Sequence, residues 1–115
     1  MPIKNIKDII SKDDLRKIAK HQFGDMVKVV VDIELGIMTI GGELHADEEA
    51  IMIRDGSKQQ NLWGVNLYPD VVGSDWIEFN SMINIRPSQG NRSRDVENPT
   101  IQERIREIIS RLIPN

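Results

Sequence analysis

Two stretches of this sequence carry side chains whose types and spacing could do chemistry. The first runs from Arg86 to Arg94 and reads RPSQGNRSR, so it joins arginines to amide and hydroxyl groups. Pro87 and Gly90 within it disfavour a regular helix or strand. Guanidinium, amide and hydroxyl groups, together with the free N–H groups of a glycine-containing loop, are the donors that hold phosphate or carboxylate. The stretch therefore predicts a loop that binds an anionic ligand.

The strand predicted to lead into this loop extends the candidate site through its polar face. The arginines would neutralise the ligand and the amides would orient it, and the full set is Arg86, Gln89, Asn91, Arg92, Arg94, Asn84 and Asn80. The expected ligand is a phosphate-bearing small molecule or an RNA end. No cofactor is needed for this function.

The same residues also have a purely structural interpretation. An antiparallel sheet normally keeps one polar face toward water, and Arg92 and Arg94 could pair with Asp95 and Glu97. The sequence has no phosphate-binding fingerprint of the P-loop type that would decide the matter. Both interpretations stay open at the level of sequence.

The second stretch is GGELHADEEA, which begins at Gly41. An extended backbone would place Glu43, His45 and Asp47 on one side, because side chains alternate along a strand. Two carboxylates and an imidazole can bind a divalent metal such as zinc, manganese or iron and leave positions open for water. The alternative function is thus a metal-dependent hydrolase, with Arg86 holding the substrate anion. The acidic run starting at Asp47 fits the first turn of a short helix equally well.

Composition narrows the classes of function. The chain has 115 residues and is predicted to form a single domain over residues 1–115. A formal net charge of −3 argues against general binding of duplex DNA. The absence of cysteine excludes a disulfide framework and a thiolate metal cluster. No signal-peptide pattern or membrane-spanning run occurs, so we expect a cytoplasmic protein with no membrane partner.

Two helices are predicted near the ends of the chain. Ser11 is a suitable N-cap for a helix over about residues 12–23. Asn98 followed by Pro99 marks the start of a C-terminal helix. That helix carries one apolar stripe, made of Ile101, Ile105, Ile108, Ile109 and Leu112.

The middle of the chain has the period-two pattern of strands. Residues 27–33 and 37–40 flank a turn at Gly36 and predict a hairpin. Residues 50–54 and 62–68 predict a second hairpin, and residues 76–86 alternate so clearly that they predict one long strand. Residues 3–10 could add a short edge strand. The sequence thus predicts an α+β fold: an antiparallel meander of about five strands, flanked by an N-terminal and a C-terminal helix on one face.

A third class of function is a protein-interaction or homodimerising module. Four of the five aromatic residues lie between residues 63 and 79. The exposure of the two tryptophans among them distinguishes a protein interface from an ordinary hydrophobic core. Trp63 and Trp76 exposed on one patch would indicate an interface, whereas burial of both would make them part of the core. The familiar catalytic sequence motifs are missing.

Three blocks of the sequence, GGELHADEEA, DGSKQQNLWGVNLYP and SMINIRPSQGNRSR, resemble a family of small prokaryotic proteins known only as a domain of unknown function. The likeness runs over nearly the whole length and implies a single-domain protein. Because the family has no established activity, the resemblance implies no catalytic residue and no ligand.

Overall fold

Five strands form one antiparallel sheet in a computed structural model that describes residues 3–114. The strands are β1 (Lys4–Ile6), β2 (Val27–Asp32), β3 (Ile37–Ile40), β4 (Leu62–Leu67) and β5 (Ile77–Glu78). The helices are α1 (Lys12–His21), α2 (His45–Arg54) and α3 (Pro99–Leu112). The predicted α+β class with an antiparallel sheet is confirmed. The strand order is β1-β3-β2-β4-β5, so the sheet is not a simple meander because β1 pairs with β3.

The capping residues that the sequence indicates do begin α1 and α3. The Ser11 hydroxyl accepts the Asp14 N–H at 3.0 Å. The Asn98 side chain accepts the Thr100 N–H at 2.8 Å. Each cap satisfies a backbone donor that a helix start otherwise leaves without a partner. The predicted β2–β3 hairpin and the short β1 edge strand are confirmed as well.

Alternate residues of β2 contribute to two different hydrophobic clusters. Val29 and Val31 pack with buried residues of α1 and α3 in the main core. Val30 packs with Met52 of α2 and Leu62 of β4 in a smaller cluster. Because successive strand residues point to opposite faces, β2 is buried on both sides, and α2 covers the side of Val30.

The predicted hairpin between residues 50–54 and 62–68 is wrong. Residues 50–54 are the last part of α2, and β4 pairs instead with β2 and β5. A short apolar run does not distinguish a strand from a buried helix by its periodicity. The helix begins with the acidic turn at Asp47 and Glu48, which suits the positive end of a helix.

The predicted long strand over residues 76–86 is also wrong. Only Ile77 and Glu78 pair with β4, after which the chain leaves the sheet and forms two short 3-10 turns at Met82–Asn84 and Pro87–Gln89. Ser81 helps to start the first turn, since its hydroxyl accepts the Ile83 N–H at 3.3 Å. The alternation of polar residues has another cause, which lies in their contacts with β4.

Trp63 and Trp76, whose exposure would indicate a protein interface, are both buried. Trp63 is 2% exposed and Trp76 is 9% exposed, and both belong to the main core. They do not form an exposed aromatic patch, and homodimerisation stays a prediction. No helix within residues 3–114 has the length and apolar character needed to cross a membrane.

Candidate functional site

The amide side chains of the loop predicted to bind an anion are directed at the protein's own backbone. Asn84 is fully buried and binds both backbone groups of Gly64 in β4: its Oδ1 accepts the N–H at 2.8 Å and its Nδ2 donates to the carbonyl at 3.0 Å. The same Nδ2 donates to the Arg94 carbonyl at 3.0 Å. A side chain thus supplies the hydrogen bonds that a neighbouring strand would give β4.

Arg86 hydrogen-bonds to the same edge of β4. Its guanidinium donates to the carbonyls of Leu62 and Gln59 and stacks on the Trp63 ring, 4.1 Å from the centroid. Burial lowers the pKa of Arg86 from its ordinary value, and the nearby Glu49 carboxylate partly opposes this effect. These contacts hold the loop on the sheet and use both terminal nitrogens of the guanidinium, while its Nε has no partner among residues 3–114.

Asn91 organises the interior of the loop. Its Nδ2 donates to the carbonyls of Asn84 and Asp95, each at 2.7 Å, and its Oδ1 accepts the Glu97 N–H at 2.8 Å. The residue is 3% exposed, so it presents little to solvent. Asn91 is a structural residue of this loop.

The backbone donors of the loop already hold an anionic group. The Glu97 carboxylate accepts the N–H of Arg92 at 2.9 Å, the N–H of Ser93 at 2.8 Å and the Ser93 hydroxyl at 2.7 Å. These bonds, the Ser93 hydroxyl first among them, lower the pKa of Glu97. The loop is therefore an anion-binding turn whose anion is supplied by the chain itself.

The remaining predicted ligand-binding residues do not converge on one concavity. Gln89 donates to the Gln60 carbonyl at 3.1 Å, and the side chains of Arg92 and Arg94 are exposed. Within residues 3–114 these two arginines make no ion pair, so the predicted pairing with Asp95 and Glu97 is absent. Asn80 lies apart, beside Asn66.

The predicted metal ligands also occupy a different backbone conformation. His45 is the first residue of α2, so the extended geometry that would align it with Glu43 and Asp47 does not occur. The His45 ring is buried, and its Nε2 lies 2.8 Å from the Val65 carbonyl. Across the described part of the chain, no three His, Cys, Asp or Glu side chains are placed to hold a metal ion.

An open cleft of about 690 Å³ lies instead where α1 ends, β3 ends and α2 begins. Its volume is in the range of small-molecule sites. Its lining combines apolar, acidic and basic residues: Ile3, His21, Gln22, Phe23, Lys28, Gly41, Gly42, Glu43, Leu44 and Asp47. The N-cap residue of α2, Leu44, offers no side-chain hydrogen bond to the first turn of the helix.

Two side chains, buried Glu48 and partly buried Gln22, support the glycine wall of this cleft. Glu48 is fully buried and its Oε2 accepts the Gly42 N–H at 3.0 Å, while Gln22 donates from Nε2 to the Gly41 carbonyl at 2.6 Å. A Cβ at position 42 would come within 2.7 Å of the Glu48 Cγ, so only glycine permits this approach. Glu48 Oε1 and Gln22 Oε1 are buried without a hydrogen-bond partner among residues 3–114.

A row of polar side chains crosses the sheet beside the cleft. Lys28 of β2 lies opposite Asn66 of β4, which lies opposite Glu78 of β5. Directly opposed residues share a face, so the three side chains stand together. Asn66 donates to Glu78 Oε1 at 2.8 Å and to the Asn80 carbonyl at 3.2 Å. The Oδ1 atoms of Asn66 and Asn80 are buried without a partner in the described residues.

The titratable groups around Lys28 have unusual protonation properties. Burial raises the pKa of Glu48 to about 9, although the Gly42 N–H and the Lys28 charge partly oppose it. Burial also lowers the pKa of His45, and the charges of Lys28 and Arg94 add to this effect. At neutral pH the carboxyl of Glu48 and the ring of His45 are therefore both uncharged. Shifts of this kind occur at functional sites and also in structural networks, and neither Glu48 nor His45 lines the cleft itself.

The sequence contained a usable signal for part of this site. His45, Glu48 and Met52 are spaced as one face of a helix, and all three are buried in the structure. Lys28 stands out as a single charge within the apolar run of β2. No local pattern indicates the row with Asn66 and Glu78, because it depends on the register of three strands.

The fold and cleft define a small α+β domain with an open antiparallel sheet and one mixed-charge cleft at the start of α2. The chain belongs to the family described as "Protein of unknown function (DUF5674)", which residues 4–112 match. No curated protein and no solved structure matches the chain.

Proposed function

We propose that the protein is a binding module for a small polar molecule that occupies the cleft at the Gly41–Gly42 turn. The observation that carries the proposal is the set of buried, unpartnered oxygens on Gln22, Glu48 and Asn66, all close to Lys28. Buried polar groups without partners are rare in folded proteins, and each calls for an explanation. A ligand is one such explanation if it supplies donors to the amide oxygens of Gln22 and Asn66 and an acceptor to the protonated carboxyl of Glu48.

The chemistry of the cleft defines the class of ligand. Lys28 and the uncapped first turn of α2 favour an anionic group such as carboxylate or phosphate. The carboxylates of Glu43 and Asp47 and the free amide oxygen of Gln22 favour N–H or O–H donors on the same molecule. The proposed ligand is a small metabolite that joins an anionic group to amine or hydroxyl groups.

This proposal keeps the anionic ligand predicted from the sequence and moves its site. Arg86 and the amides of the 86–94 loop hydrogen-bond to the backbone, although the Arg86 Nε has no partner among the described residues. At the cleft, Gln22 of the lining and Glu48 next to Gly42 each keep an unpartnered oxygen. No observation on the described residues favours the metal-dependent hydrolase.

A thermal-shift screen followed by NMR titration tests the proposal. The panel contains amino acids, sugar phosphates, nucleotides and a 5′-phosphorylated RNA oligomer. A ligand present at a hundredfold excess over its Kd stabilises the native state by about 2.7 kcal/mol. We expect a binder to shift the amide resonances of Gly41, Gly42 and Leu44 in a saturable way.

Variants then locate the site. Lys28→Gln removes the cleft's ammonium group and should weaken binding by about tenfold, the typical effect of one charge-assisted contact. Lys20→Gln removes the same charge from an exposed position of α1 outside the lining and should bind like the wild type. Equal binding by the wild type and Lys28→Gln, or shifts confined to residues 86–94, would refute the proposal.

A further inference from the structure

A second cleft, of about 290 Å³, lies between the start of α1, the turn before β5 and the last turns of α3. Its lining contains two cations and no acidic residue: Lys12, Gly73, Ser74, Trp76, Ile77, Arg106 and Ser110. It shares no lining residue with the cleft at the Gly41–Gly42 turn.

Aromatic rings hold both cations in place. The Lys12 Nζ lies 4.4 Å from the centroid of the Trp76 ring. The Arg106 guanidinium lies 5.0 Å from the centroid of Phe79, and its Nη1 donates to the Ser74 carbonyl at 3.3 Å. Cation–π contacts fix a charge without neutralising it. Both cations therefore have a defined position and keep their charge.

Neither cation is neutralised by the protein. Over residues 3–114, Lys12 and Arg106 take part in no ion pair. Asp13, the acidic residue next to Lys12 in the chain, pairs with Arg16 at 2.6 Å. Arg106 makes one side-chain hydrogen bond, so other N–H groups of its guanidinium remain available.

We propose that this second cleft binds the phosphate group of a small phosphomonoester. Lys12 supplies a point charge, Arg106 supplies directional donors, and the hydroxyls of Ser74 and Ser110 supply neutral donors around the same space. The volume fits a phosphoryl group with a small substituent. The inference does not depend on the function proposed for the first cleft.

NMR titration of the full chain with inorganic phosphate, and separately with glycerol 3-phosphate, tests the inference at constant ionic strength. We expect saturable shifts of the Ser74 and Ser110 amides and of the Trp76 indole N–H, with a Kd on the order of 1 mM. Trp63 is an internal reference, because its indole packs under Arg86 and does not line this cleft. Tighter binding of glycerol 3-phosphate than of phosphate would show that the substituent is recognised.

Three variants decide the outcome. Arg106→Gln should weaken phosphate binding by about tenfold, whereas Lys20→Gln, the matched loss of an exposed charge, should leave it unchanged. Ser110→Asp puts a negative charge at an exposed position of the cleft and should abolish binding in a protein that still folds, which covers the case in which Arg106→Gln does not fold. Chloride shifts equal to those of phosphate, or unchanged binding by Ser110→Asp, would overturn the inference.

Discussion

The 86–94 loop and the cleft at the Gly41–Gly42 turn differ in how their polar groups are used. The loop is richer in donors, yet Asn84, Arg86 and Asn91 all bind backbone groups. The cleft has fewer polar residues, yet Glu48 and Gln22 keep buried oxygens without partners. Polar composition alone therefore does not show how polar groups are used in this protein, because most of those in the loop bind its own backbone.

The difference has a structural cause in β4. This strand pairs with β5 only at Asn66 and Leu67, so the rest of that edge needs other partners. Asn84 and Arg86 meet the need at Gly64 and Leu62. A buried backbone group without a partner is costly, and the loop's composition follows from that cost. No such requirement accounts for the free oxygens around Lys28.

The largest predicted effect comes from removing the centre of the loop. Asn91→Ala leaves the carbonyls of Asn84, Ser93 and Asp95 and the Glu97 N–H without this partner. The free energy of unfolding should fall by about 3 to 4 kcal/mol. Urea denaturation measures the change. The control is Asn61→Ala, which removes one exposed bond to Glu34 and should cost less than about 1 kcal/mol. If Asn91→Ala lowered the free energy of unfolding by less than about 1 kcal/mol, the structural role assigned to the loop would be wrong.

The second largest predicted effect is a loss of folding stability at high pH, caused by Glu48 beside the cleft. Glu48 has a pKa of about 9 when folded, against about 4.3 for a free glutamate, so the native state keeps a proton that the unfolded state releases. Stability contributed by this group is complete below about pH 4.3 and is lost as pH rises toward 9. Between about pH 7 and about pH 9 the loss should reach about 2 kcal/mol.

The neutral variant Glu48→Gln isolates this dependence. It should be more stable than the wild type at about pH 9 and should show little of the decline, as measured by urea denaturation across the same range. His45 does not interfere, since a free histidine titrates near pH 6.5, below this window, and burial lowers the His45 pKa further. Parallel stability curves for the two proteins would show that Glu48 is ionised in the native state.

A smaller effect is expected at the glycine wall of the cleft. Gly42→Ala places a methyl group against the Glu48 Cγ, which is buried and cannot withdraw, so the free energy of unfolding should fall by about 1 to 2 kcal/mol. The cost should shrink in a Glu48→Ala background, where the clash is gone. If the two substitutions lowered stability additively in the double variant, as measured by thermal unfolding, the cost of Gly42→Ala would not come from contact with Glu48.

The smallest effect is expected in the loop. Arg92→Ala removes an exposed side chain that makes no ion pair among the described residues and should change stability by less than about 0.5 kcal/mol. It should also leave ligand-induced thermal shifts intact, because neither cleft includes Arg92. If Arg92→Ala abolished those shifts while Lys28→Gln kept them, the loop would be the anion site after all.

The elements with local signals could be predicted from the amino-acid sequence. Ser11 and Asn98 start α1 and α3, and the pattern around Gly36 makes the β2–β3 hairpin, because capping and tight turns involve residues a few positions apart. These elements, with the composition, were enough to predict the α+β class. The two candidate stretches, GGELHADEEA and RPSQGNRSR, could also be recognised from their residue types.

Tertiary structure alone decided how those polar groups are used. The alternation of residues 76–86 predicts a strand, but whether Asn84 joins a ladder or binds Gly64 by its side chain depends on where β4 lies. Lys28 meets Asn66 only through the register of β2 and β4, two strands that are distant in sequence. A side chain's chemistry depends on its partners and its burial, and both are fixed by contacts between distant parts of the chain.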